Sequence, residues 1–107
     1  MALTRDFKET VVARVKRDPE FARALLNEAA TLFLNGEPDM SKLILRDLVN
    51  ATIGFEQLAQ SVEKPSKSVH RMLSPAGNPT MTNLAAIFAV LKSAMRVEIE
   101  THAVPVA

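Results

Sequence analysis

Between Phe21 and Leu34 the chain reads FARALLNEAATLFL, and two apolar rows run through it at four-residue spacing. Phe21, Leu25, Ala29 and Phe33 make one row; Ala22, Leu26, Ala30 and Leu34 make the next. With 3.6 residues per helical turn the rows lie side by side and form one broad apolar face. A helix with so wide a face must be largely covered by other helices. The composition agrees: 48% of the 107 residues are hydrophobic, with three Gly and neither Trp nor Tyr. That suits a packed helical domain and excludes a disordered or all-β chain. The length fits one domain with one core. The absence of Cys removes disulfides and thiolate zinc sites from consideration.

Punctuation residues divide the rest. Phe7, Val11 and Val15 share one face of an expected helix over residues 5–17. Asp18-Pro19 reads as N-cap and first position of the next helix, and Asn35-Gly36 as its end. Pro38-Asp39 opens a third helix through about Thr52, with Met40, Leu43, Ile44, Leu48 and Ala51 expected inward, and Gly54 breaks it. A short helix should run from about Phe55 to Val62. Pro65 disfavours helix at Lys64, so the following helix starts at about Pro65 or Ser66 and ends near Leu73. SPAGNP is a loop. Thr80 caps a last helix carrying Leu84, Ile87, Phe88, Leu91 and Met95 inward. Met40, Met72, Met81 and Met95 all read as core. After Arg96 the period changes to two: Val97, Ile99, Thr101 and Ala103 alternate with Glu98, Glu100 and His102. The expectation there is a short strand, with continued helix as the alternative.

The formal charge of +1 conceals an asymmetry. Residues 1–63 hold eight Lys/Arg against ten Asp/Glu, whereas residues 64–97 hold Lys64, Lys67, Arg71, Lys92 and Arg96 and no acid. Within that stretch, KPSKSVHRML (64–73) has an apolar inner edge of Val69, Met72 and Leu73. Its outer face carries Ser66, Lys67, His70 and Arg71, with Ser68 at the edge. An exposed polar helix on an ordinary bundle would show the same face. The wider pattern is that of a helix-turn-helix, which needs an apolar residue to pin the first helix, a small residue where the helices cross, and an apolar inner face on the second. Phe55, Leu58, Ala59, Val62, Val69 and Met72 stand at those offsets. Glu63 and Lys64 occupy the turn where Gly and an apolar residue are usual, and Glu63 would be strained if it adopted positive φ. Arg71 suits bidentate bonding to guanine, Lys67 guanine or phosphate, and Ser66 and Ser68 base edges or phosphates.

FEQLAQSVEKPSKSVHRMLSPAGNPTMTNLAAIFAVL (55–91) resembles the helix-turn-helix of the Xre/Cro family, and within it the addiction-module antidote, or HigA-like antitoxin, branch. Gly77, Asn78, Pro79, Thr80, Asn83, Leu84, Ile87, Val90 and Leu91 carry the likeness, and LRDLVNATIGFEQLA (45–59) looks like that branch's lead-in. The resemblance is specific over residues 45–91. It implies a lambda-repressor-like fold and a cytoplasmic homodimer that binds a palindromic operator in double-stranded DNA and represses its own operon. It also suggests a small RelE/ParE-like toxin as a partner. In the resembling family the turn that opens the last helix touches the DNA backbone. This makes Asn78, Thr80, Thr82 and Asn83 candidate phosphate contacts beside Lys64 and Ser68, consistent with the anion preference of a helix N-terminus.

The expected architecture is therefore all-α, a five- to six-helix bundle in one domain. It comprises N-terminal helices over 1–53, a DNA-binding core over 54–96 and a strand or tail over 97–107. Ala94, Met95, Val97 and Ile99 form the expected dimer surface, since a lone terminal strand could pair with a two-fold copy of itself. His70 and His102 lie in different elements without acidic partners at ligand spacing, and no phosphate loop or nucleophile elbow is present, so neither an enzyme, a metal nor a cofactor is expected. No apolar run suits a membrane span or a signal peptide, and the expected location is the cytoplasm. Two function classes remain: a DNA-binding regulator with Ser66, Lys67, His70 and Arg71 at base edges, or an interaction module. In the second, which would hold a toxin or other partner, the acidic N-terminal half (Asp6, Glu9, Asp18, Glu20, Glu28, Glu37 and Asp39) would cover a basic, RNA-binding partner.

Overall fold

The computed structural model describes residues 11–107, and among these the chain forms six helices and no strand. They are α1 (11–17), α2 (Pro19–Leu34), α3 (Pro38–Ala51), α4 (Gly54–Val62), α5 (Ser66–Met72) and α6 (Met81–Met95). The expected role of Phe7 lies outside the described residues. No helix of the described residues is long and apolar enough to cross a membrane.

The ends of the helices follow local chemistry. The Asp18 carboxylate accepts the Phe21 amide at 3.1 Å, and Pro19 fills the first helical position of α2, where the N–H it lacks would have had no intrahelical acceptor. Gly36, at φ 85°, ends α2: its amide donates to Phe33 O and that of Glu37 to Leu32 O, the pair of hydrogen bonds of a Schellman turn. The same turn ends α4 at Glu63, where Glu63 N donates to Gln60 O and Lys64 N to Ala59 O. It ends α6 at Arg96 likewise, with bonds to Ser93 O and Lys92 O. Glu63 (φ 57°) and Arg96 (φ 59°) are both left-handed and neither is glycine. The strain expected at Glu63 is therefore present.

Leu26, Leu45, Leu48, Leu58, Leu73, Ile87 and Leu91 form the centre of the core, each almost completely buried. Each contributes roughly 1.5–3 kcal/mol of transfer free energy. Phe55, Leu58, Ala59 and Val69 are buried at the expected positions, with Val62 and Met72 half-buried.

Three expectations about burial and one about secondary structure are corrected. The inner face of α3 is carried by Ser41, Lys42, Leu45, Leu48, Val49 and Ala51, while Met40 and Leu43 are exposed. The stripe is rotated because its leading positions are polar: Ser41 Oγ donates to Ala29 O at 2.7 Å, which makes its burial tolerable. Met81 is 81% exposed, and Met72 and Met95 only half-buried, so the methionines are not uniformly core. Leu34, at the end of its apolar row, is also exposed. The segment after Arg96 is neither strand nor helix. Val97 and Ile99 pack against the core while Glu98 and Glu100 face out, so an extended segment lying on the protein's own body produces the two-residue period without a pairing partner.

Candidate nucleic-acid interface

The seven residues of α5 bury Val69, and the chain turns back over the C-terminal end of the helix at Ser74-Pro75-Ala76-Gly77. The Gly77 amide donates to Ser74 O at 3.0 Å, closing a turn with Pro75 at its second position. A Cβ on Gly77 would collide with the Arg71 carbonyl oxygen and lie 2.8 Å from that of Met72. Position 77 thus requires glycine because the loop lies directly on the helix end.

Lys67, His70 and Arg71 are exposed on α5, with Ser66 and Ser68 half-buried. Two clefts run along the helix, and Ser68 and Arg71 line both. The first cleft is completed by Arg46 of α3, Lys67, His70 and Ser74. It gathers three permanent cations and no carboxylate among the lining residues. The second is completed by Met72, Ala76, Gly77, Asn78, Pro79, Thr80 and Asn83. Arg71, with Ser68, therefore forms a ridge between a cleft that holds two further cations and a cleft whose other lining residues are uncharged and rich in hydrogen-bonding groups.

Most of the expected contact residues thus come together: Lys67, Ser68, His70 and Arg71 in one cleft, Ser68, Arg71, Asn78, Thr80 and Asn83 in the other. Lys64, Ser66 and Thr82 line neither. Thr80 Oγ1 accepts the Asn83 amide at 3.1 Å and so caps α6, while its O–H is left as a donor. The amides of Met81 and Thr82 stand at positions without an intrahelical acceptor. Among the dimer candidates, Ala94 is exposed and Met95 half-buried, but Val97 and Ile99 pack on their own chain. Ile99 lines an apolar groove with Ala30, Phe33, Leu34, Met81, Leu84, Ala85 and Phe88.

Sequence reasoning missed Arg46 and Lys42. Nothing local connects residue 46 to residues 67–74; only the packing of α3 brings them together. Lys42 left no signal in the stripe expected for α3; only the stripe that the structure buries, with Leu45 one turn on, passes through it. Its ammonium is buried and donates to Gly77 O at 2.7 Å and Pro75 O at 3.4 Å, with Asp39 Oδ1 at 3.4 Å. Comparison of the chain with family models, curated proteins and solved structures gives no match.

Proposed function

We propose that the protein is a sequence-specific regulator that binds double-stranded DNA, with α4 and α5 acting as a helix-turn-helix and α5 entering the major groove. The observation that carries this reading is the placing of Arg71 on a ridge between the cleft containing Arg46 and Lys67 and the cleft at the start of α6. A guanidinium on a ridge can reach base edges, where it pairs with guanine O6 and N7. Cations and capping-type donors on either side suit the phosphates that flank a groove. Arg46 joins Lys67 as a phosphate contact on one side; Asn78, Thr80 and Asn83 serve the other.

The short α5 reads few base pairs, so specificity calls for two copies on a palindromic site, spaced by about 34–36 Å. Self-repression of its operon and binding of a RelE/ParE-like toxin are the further roles that the resemblance to HigA-like antitoxins suggests, in a cytoplasmic setting. Selection of duplexes from a random-sequence pool, followed by footprinting, tests the reading. Enrichment of a two-fold symmetric site is expected; failure to enrich any duplex overturns it. Sedimentation at micromolar concentration tests the dimer, and a monomer that stays monomeric on DNA would reject the two-copy arrangement.

A further inference from the structure

We propose that Lys42 is a positioning residue for nucleic-acid binding: from α3, its ammonium holds the 74–79 loop in the shape that sets Asn78 and the first turn of α6 beside α5. The inference rests on the reading of α5 and this loop as a DNA-binding surface. Lys42 itself is only 7% exposed and lines a pocket with Asp39, Pro75, Gly77 and Asn78 to which no residue of α5 contributes. It therefore acts on DNA through the loop rather than by touching phosphate.

Burying an ammonium is unfavourable unless its donors are matched. Here the matching acceptors are loop carbonyls, those of Gly77 and Pro75. The Asp39 carboxylate, 86% exposed, adds little because water screens it. The loop is thus gripped from two directions. Gly77 seats it on the carbonyl end of α5, and Lys42 draws the same residue's carbonyl towards α3. Residues 78–80 follow immediately, so the grip at Gly77 fixes where the capping residue Thr80 begins α6.

The experiment compares Lys42→Met, which keeps the apolar stem and removes the ammonium, with Gly77→Ala, which displaces the loop while leaving the ammonium in place. Binding to a labelled duplex selected by the wild-type protein is measured well below each variant's melting temperature, across a salt series. Lys42→Met should weaken binding roughly tenfold, the scale of one charge-assisted hydrogen bond, with an unchanged slope of log K against log salt. The double variant should be little weaker than the worse single variant, since both act through one loop. Amide exchange in the free protein gives a second readout: Lys42→Met should accelerate exchange of the Gly77 amide and leave α4 protected.

Wild-type affinity in Lys42→Met overturns the proposal, and so do additive losses. A slope reduced by about one would make Lys42 a direct phosphate contact and reject the positioning role. A variant with lower melting temperature but unchanged affinity in its folded fraction would show a purely structural lysine and likewise reject it. If the wild-type protein selects no duplex, the DNA-binding reading fails and the proposed role in binding fails with it, while amide exchange still decides whether Lys42 holds the loop.

Discussion

The imidazole of His70 lies flat against the ring of Phe55, with centroids 3.9 Å apart and planes inclined by 18°. Phe55 stands at the first turn of α4 and is buried; His70 stands on the outer side of α5 and is exposed. One face of the imidazole therefore covers core while its edge remains in water. Replacing His70 by Ala should lower stability by roughly 0.5–1.5 kcal/mol, the range of aromatic pairs. His70→Phe should restore the stacking but not the ring nitrogens. Thermal melts and DNA titration of both variants separate the roles: a histidine that only covers Phe55 leaves affinity intact in His70→Phe.

Arg71 and the two cations beside it should behave differently. Arg71→Ala is expected to weaken binding by ~1–3 kcal/mol and relax preference at one base pair of each half-site. Lys67→Ala and Arg46→Ala should weaken binding to all sequences alike and each lower the salt slope by about one. Competition titrations with single-base variants of the selected duplex distinguish the two patterns. An Arg71→Ala protein with unaltered preference would show that α5 is not the reading helix.

Glu63 holds a left-handed conformation that glycine adopts without strain. Glu63→Gly should retain the Schellman bonds to Ala59 O and Gln60 O and raise stability, by up to about 1 kcal/mol. The gain is the relief of folded-state strain less the extra freedom that glycine gives the unfolded chain. Urea denaturation with an unchanged m-value is the measurement; an equal or lower midpoint would show the strain to be negligible.

Asp18 links stability to pH. The hydrogen bond from the Phe21 amide holds its carboxyl below the ordinary value, Arg14 acts in the same direction, and desolvation opposes both. A depressed carboxylate stabilises the fold above its unfolded-state pKa, and that contribution is lost as pH falls through the folded value. Asp18→Ala should therefore melt below wild type at neutral pH, and the gap should shrink in acid. A gap that stays constant with pH would mean that capping by Asp18 does not depend on its charge.

Much of this architecture could be read from local signals. Asp18-Pro19, Asn35-Gly36, Pro65 and Thr80 set helix ends because each acts within one turn of itself. The apolar faces of α2 and α6 emerged from periodicity. The phase of α3 did not, because Ser41 and Lys42 satisfy their polar groups with carbonyls 12 and 35 residues away in the chain. The segment carrying Val97 and Ile99 alternates for a tertiary reason, its contact with the body, so period alone could not distinguish it from a paired strand. The outer face of α5 was legible; its cationic cleft was not, since Arg46 arrives through packing.

The bond from Lys42 to Gly77 also bears on the order in which the molecule assembles. It joins residues 35 positions apart, whereas the turn between α4 and α5 closes within a few residues. Local closures are rapid, and contacts across long intervening chain must wait for the elements that carry them. The helix α5 can thus be in place while the loop beyond it is still unlatched. Removing the latch should then leave the folding rate nearly unchanged and accelerate unfolding, as for any interaction made after the transition state. During synthesis, the surface beside Arg71 is completed only after the chain has emerged past Gly77 and returned to α3.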